Sequence, residues 1–271
     1  MSVHAMQTDE LKSMLEPVLG IAHVASEKIV AVYNRDFTVE QKADHSPLTE
    51  ADMAAHEVIE ASLKSLYPDI PVLSEESSHI PFEERRQWDR YWLVDPLDGT
   101  REFVKRNGEF TVNIALIEAH EPIMGVIVVP VTGVSYYAAR GNGAWKVVDG
   151  EVSEVRVRQR QPGFTIVAGS RSHASDSLVA FLERVGEHEL VSMGSSLKSC
   201  LVAEGKADVY PRLGPTSEWD TAAAHCIVNE AGGSLTDTHM KPIRYNTKES
   251  LLNPSFFVSG EALYDWSQYL K

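Results

Sequence analysis

Asp95-Pro96-Leu97-Asp98-Gly99-Thr100, directly behind the apolar run Tyr91-Trp92-Leu93-Val94, decides how this chain is read. The apolar run has the make-up of a buried strand. Pro96 fixes its own φ and biases Asp95 toward extended backbone, and Gly99 permits the tight geometry that lets Thr100 open a helix. A strand that ends this way sets two carboxylates three positions apart around one turn. Carboxylate oxygens and a backbone carbonyl suit a hard cation such as Mg²⁺, which takes water and phosphate oxygens as its remaining ligands. The amides at the start of 101–104 would then face a bound anion. Asp-Pro and Asp-Gly are also ordinary turn dipeptides, and Asp is a common N-cap, so the six residues alone leave a plain turn and a metal site both open.

Three further acidic elements weigh toward the metal. Leu73-Ser74-Glu75-Glu76 again ends an apolar run in carboxylates, and neighbouring glutamates on an extended chain point opposite ways, so one can enter a site that the other does not. Asp220, after Trp219, precedes an Ala-rich stretch and is expected at the positive end of a helix. Thr49-Glu50-Ala51-Asp52 begins a helical segment that runs to about Leu66. Taken singly, Asp52 reads equally well as an exposed helix residue and Thr100 as an N-cap.

Working outward, apolar spacing predicts helices over 9–33 and 51–66, then strands over 72–74, 91–94, 111–118, 123–129, 134–139, 144–148 and 152–157. This is an α+β half, residues 1–160. From 161 to 271 the pattern alternates: strands over 165–168, 189–192, 208–211 and 234–237, with helices over 174–185, 196–204 and 221–231, a layered α/β half. The 271 residues, 43% hydrophobic and 24% charged, are ordinary for a globular enzyme. A net charge of −14, from 25 basic and 39 acidic residues, argues against a nucleic-acid polymer as partner and requires local cations to hold an anionic substrate. Two cysteines, Cys200 and Cys226, and no basic apolar leader point to a cytoplasmic protein without a disulfide framework. The most apolar run, 122–131, contains prolines and falls short of the roughly 20 residues of a span, so any contact with the inner face of a membrane would be peripheral.

The order Glu75-Glu76, Asp95-Pro96-Leu97-Asp98-Gly99-Thr100, Trp219-Asp220-Thr221-Ala222-Ala223 resembles the inositol monophosphatase superfamily of Mg²⁺-dependent, lithium-sensitive phosphatases. A narrower resemblance, to bacterial 3'(2'),5'-bisphosphate nucleotidases of the CysQ type, is carried by 42–52, 105–113, Ser170-Arg171-Ser172-His173, Gly194-Ser195-Ser196-Leu197-Lys198 and Tyr210-Pro211-Arg212. The resemblance implies an αβαβα sandwich with metals in the cleft between the halves. It implies one Mg²⁺ held by Glu75, Asp95, Asp98 and the Leu97 carbonyl, a second held by Asp95, Asp98 and Asp220, and a weaker third near Asp52. Thr100, hydrogen-bonded to Asp52, would relay a proton, and the Gly99 and Thr100 amides would hold the scissile phosphate. Ser170, His173, Gly194, Lys198 and Arg212 are the implied nucleotide contacts, with the Arg212 guanidinium suited to bidentate phosphate binding. His225 could pack near a bound nucleoside, although nothing in the residues requires it.

The implied reaction is hydrolysis of 3'-phosphoadenosine 5'-phosphate to AMP and phosphate, with 3'-phosphoadenosine 5'-phosphosulfate a second candidate substrate, in sulfur metabolism. Inositol 1-phosphate or fructose 1,6-bisphosphate hydrolysis, and a non-catalytic nucleotide- or metal-binding role, are the alternatives. Parts of the superfamily form homodimers, which one sequence does not decide.

Overall fold

The apolar alternation seen in the sequence becomes two sheets whose central strands are buried on both faces. The computed structural model describes residues 5–41, 47–170 and 176–270. In chain order the first half comprises α1 (Thr8–Tyr33), β1 (Val39–Gln41), β2 (Pro47–Thr49), α2 (Glu50–Leu66), β3 (Val72–Ser74), α3 (Phe82–Arg85), β4 (Arg90–Asp98), α4 (Thr100–Val104), β5 (Thr111–Glu118), β6 (Glu121–Val128), β7 (Ser135–Ala139), β8 (Ala144–Val148) and β9 (Glu151–Glu154). The second comprises β10 (Thr165–Ser170), α5 (Asp176–Val185), β11 (His188–Met193), α6 (Leu197–Ala203), β12 (Val209–Arg212), α7 (Glu218–Glu230), β13 (Ser234–Asp237) and β14 (Phe256–Ser259).

Strands β3 to β9 form one sheet in sequence order, antiparallel except for the β3–β4 pair. Successive residues face opposite sides. Trp92, Val94, Ile114 and Leu116 pack against α1 and α2, whereas Tyr91, Leu93, Ala115 and Ile117 pack against α6 and α7. The second sheet runs β11-β10-β12-β14-β13. Its Ala168, Tyr210, Phe256 and Val258 close the other side of α6 and α7, while Val167, Val209 and Phe257 turn outward to Phe181 of α5 and to Trp266. The layers are therefore helix, sheet, helix, sheet, helix.

The small residues of α7 let it lie hard against the first sheet. A Cβ at Gly125 of β6 would sit 2.2 Å from the Ala223 carbonyl oxygen, a backbone clash that no rotamer relieves. Gly125→Ala is expected to lower the melting temperature by about 5 °C or more, measured by thermal unfolding, because overpacking of this kind costs about 1–3 kcal/mol and moves α7. An unchanged melting temperature would show that the helix can shift freely.

Several expectations need correction. The strand beginning at 91 does not stop at Val94 but continues through the hexapeptide to Asp98. Glu75 and Glu76 lie on a 3-10 turn, Glu75–Ser77, and not on an extended chain. Helix α7 starts at Glu218, so Asp220 lies inside its first turn and does not precede it. Strand β14, between β12 and β13, has no counterpart in the sequence reading, and being antiparallel to both it breaks the simple alternation. Among the described residues no helix is long and apolar enough to cross a membrane.

Candidate active site

The hexapeptide works through a β-bulge. Asp95 pairs with Asn113 and Asp98 with Thr111, so three steps on β4 face two on β5. In a regular strand, residues three apart point to opposite faces; the extra residue returns Asp98 to the side of Asp95. Pro96, which has no N–H for the ladder, is tolerated at such an irregularity. The Asp95 carboxylate also accepts the Leu97 N–H at 3.1 Å, which fixes its orientation inside the bulge.

Asp98 is held from the second half. Its Oδ2 accepts the Ser195 hydroxyl, the Ser196 N–H and the Ser196 hydroxyl, each at 2.7 Å. Ser195 holds φ 52° to make this approach, a backbone state that costs a residue with a Cβ about 1 kcal/mol or more. Gly99, at φ 93°, is the matching concession on the other side: a Cβ there would lie 3.2 Å from that of Ser195. Thr111 and Asn113 of β5 complete the layer, with the Asn113 amide donating to the Ser196 hydroxyl at 2.9 Å. Ser195 and Ser196 are not legible in the sequence as supports of Asp98. The Ser-Ser pair before a helix looks like an ordinary start signal, and its acceptor is nearly a hundred residues away.

Asp220 is the third residue of α7, and its Oδ2 accepts the Ser217 N–H at 2.9 Å in a capping box. Asp95, Asp98 and Asp220 each bring one carboxylate oxygen within 4.8 Å of the others. Burial, and after it the Asp98 carboxylate, push the Asp220 carboxyl well above its ordinary range. Glu75, half-buried on its turn, lines the same cleft but is not part of this tight triple.

Asp52, the third residue of α2, is 1% exposed, which rules out the exposed-helix reading. Its Oδ2 closes a capping box with Thr49, and its Oδ1 accepts the Thr100 hydroxyl at 3.3 Å. That hydroxyl also lies 3.4 Å from the Leu97 carbonyl. Thr100 is not the N-cap of α4; Gly99 is, and α4 spans only five residues.

The cleft beside these groups encloses about 600 Å³ and adjoins a recess of about 150 Å³, the two sharing Asp98, Gly99, Glu102, Ser170, Tyr210, Arg212, Thr216 and Asp220. Lys198 of α6 lines the recess, 7% exposed, its ammonium donating to the Ser195 carbonyl at 2.6 Å and lying 5.4 Å from the Tyr210 ring centre. Burial pushes its pKa down to about 8, against the pull of Asp98. Arg212 donates through Nη2 to the Pro215 carbonyl at 2.9 Å, while its buried Nε has no partner among the described residues. An orphaned guanidinium N–H beside a buried ammonium is a site that an anion would satisfy.

The other expected residues divide. Ser170 lies at the end of β10 on both cavities, and His173 lies outside the described residues. Gly194 reaches the recess, but its N–H donates to Glu109 Oε2 at 2.8 Å, and a Cβ would fall 2.7 Å from the Glu109 carbonyl, so packing accounts for the glycine. His225 is a core residue, hydrogen-bonded to the Tyr245 hydroxyl at 3.0 Å and not part of either cavity. Burial drives its pKa down to about 3, so it stays neutral.

Residues 10–265 match the inositol monophosphatase family. The chain belongs to that family. It is 52% identical over 248 residues to the 3'(2'),5'-bisphosphate nucleotidase CysQ of Escherichia coli strain K12, covering 91% of this chain and 99% of that protein, and equally so to that of Salmonella typhimurium. Among solved structures, CysQ from Bacteroides thetaiotaomicron superposes with a TM-score of 0.80 at 44% identity, covering 91% of this chain and 97% of the other. An IMPase from Thermotoga maritima superposes with a TM-score of 0.79 at 25% identity, covering 97% of each chain. Phosphatases of the inositol monophosphatase family are metal-dependent, and the Asp95–Asp98–Asp220 cluster is the part of this family member that suits a cation.

Proposed function

We propose that the chain is a Mg²⁺-dependent phosphatase that converts 3'-phosphoadenosine 5'-phosphate to AMP and phosphate, with the phosphosulfate analogue as a second substrate. The observation that carries this is the juxtaposition of three crowded carboxylates, a Thr100–Asp52 pair and a recess that holds Lys198 and Arg212 on one cleft. A substrate with two phosphates fits two such anion-seeking places; inositol 1-phosphate has one phosphate and leaves the recess without a task. The identity to CysQ nucleotidases supports the same choice. In this reading residues 1–160 and 161–271 act as two halves, the first supplying most metal ligands and the second Asp220 and the nucleotide contacts.

The carboxylates fit a divalent ion: they are hard oxygen donors, and burial first, then the Asp98 carboxylate, raise the Asp220 carboxyl, two penalties on its charged form that a cation would offset. Glu75, Asp95, Asp98 and the Leu97 carbonyl would hold one ion, and Asp95, Asp98 and Asp220 a second. Bound Mg²⁺ supplies acidification of the attacking water and neutralisation of charge on the leaving oxygen. Thr100 Oγ accepts the attacking water's proton while passing its own to Asp52 Oδ1, the water oxygen bonds to phosphorus as the bond from phosphorus to the ribose 3'-oxygen breaks, and the released 3'-oxygen takes a proton from solvent water. The Gly99 and Thr100 amides orient the scissile phosphate, and Lys198, Arg212 and Ser170 hold the 5'-phosphate and ribose. Phosphate release that is lost in chelator and restored by Mg²⁺ tests the reading; turnover indifferent to chelator contradicts it.

Stability carries the same signature. A carboxyl raised in the fold favours folding at low pH and loses that contribution as pH rises through its folded pKa, so the metal-free protein is penalised near neutrality. Mg²⁺ at a hundredfold excess over its Kd should raise the melting temperature by about 5 °C or more near pH 8, and by much less near pH 5. An equal rise at both pH values would contradict metal binding at Asp220.

A further inference from the structure

Asp52 and Asp220 are both third residues of capping boxes, yet they are held differently. Asp220 receives a backbone N–H from Ser217. Asp52 Oδ2 receives two donors from one residue, the Thr49 N–H at 2.8 Å and the Thr49 hydroxyl at 2.7 Å. Thr49 is 2% exposed, and its oxygen accepts the Ala51 N–H at 3.2 Å, which directs its single hydroxyl hydrogen to Asp52. An N-cap hydroxyl satisfies the helix by accepting alone. Here it also donates, to the carboxylate whose other oxygen meets Thr100 at 3.3 Å. Pinned by two donors, Oδ2 cannot swing without breaking both bonds, so Oδ1 stays aimed at Thr100.

We propose that Thr49 is a positioning residue for the Thr100–Asp52 proton relay: its hydroxyl sets the plane of the Asp52 carboxylate without touching substrate. The inference rests on the function proposed above and adds to it a residue from the opposite end of the helix cap. A small misplacement of a proton acceptor is felt in the chemical step and not in substrate binding.

Thr49→Val keeps the side-chain shape and the backbone donor and deletes only the hydroxyl. It should lower kcat on 3'-phosphoadenosine 5'-phosphate about tenfold, with KM unchanged within about twofold, and Thr49→Ser should restore kcat. Loss of a cap also lowers thermal stability, so Asp265→Ala, which removes the 2.9 Å bond to the Ser267 N–H in the outermost layer, is the control. With rates measured below every melting temperature, the control should melt lower and keep the wild-type kcat. A wild-type kcat in Thr49→Val, a Thr49→Ser as slow as Thr49→Val, or a control that loses kcat as much as Thr49→Val each overturns the assignment. Wild-type protein inactive on every phosphate monoester overturns the functional reading and the assignment together, whereas active wild type with an unaffected Thr49→Val removes Thr49 alone.

Discussion

Asp98→Asn is expected to reduce phosphate release at least about a thousandfold, even with Mg²⁺ in excess, because the substitution strikes both halves of the site at once. Oδ2 of Asp98 accepts three short bonds from Ser195 and Ser196, so the carboxylate joins β4 to the loop before α6. An amide nitrogen placed there would face three donors; placed at Oδ1, it would face the cation. Either orientation loses a ligand or breaks the clasp. The same variant should lose the Mg²⁺-dependent rise in melting temperature. Turnover within about tenfold of wild type, with the thermal response intact, would remove Asp98 from the metal site.

Lys198→Met should instead act on substrate choice. The side chain is nearly buried beside Arg212, and methionine fills a similar volume without charge. KM for 3'-phosphoadenosine 5'-phosphate is expected to rise about a hundredfold, the usual scale for losing a buried charge-assisted contact, with kcat little changed. Stability should not fall, because the replacement removes a cation whose burial is costly. The titration gives a second sign. With its pKa lowered to about 8, Lys198 is cationic below that value and neutral above it, so KM of the wild type should climb as pH passes through 8, and the Lys198→Met profile should lack that climb. Unaltered KM in the variant would show that the recess does not hold the second phosphate.

How far the sequence reached can be judged at particular residues. Asp95 and Asp98 were legible because Pro96 and Gly99 mark a forced turn, but the bulge that puts both carboxylates on one side was not: the Pro and Gly that permit it also interrupt the strand pattern. Helices α1 and α2 were placed to within a residue by their apolar spacing. The capping geometry that points Asp52 Oδ1 at Thr100 joins residues 48 positions apart, and local pattern carries no such distance. Strand β14 was missed because it lies outside the strand–helix alternation from which the second half is read, although two strands pair on it. The stacking of the layers came from the resemblance; periodicity reports which face of an element is apolar, not what covers it.

The most direct test of the account is phosphate release by the purified chain with Mg²⁺ on 3'-phosphoadenosine 5'-phosphate, inositol 1-phosphate and fructose 1,6-bisphosphate, side by side. The cleft and its Lys198–Arg212 recess predict a kcat/KM for the nucleotide at least about a hundredfold above inositol 1-phosphate, the worth of one well-made contact to a second phosphate, and a kcat/KM above that for fructose 1,6-bisphosphate, which has two phosphates but no nucleoside between them. Equal or greater kcat/KM on inositol 1-phosphate would leave the metal site and the fold in place and contradict the assignment of the Lys198–Arg212 recess to a nucleotide.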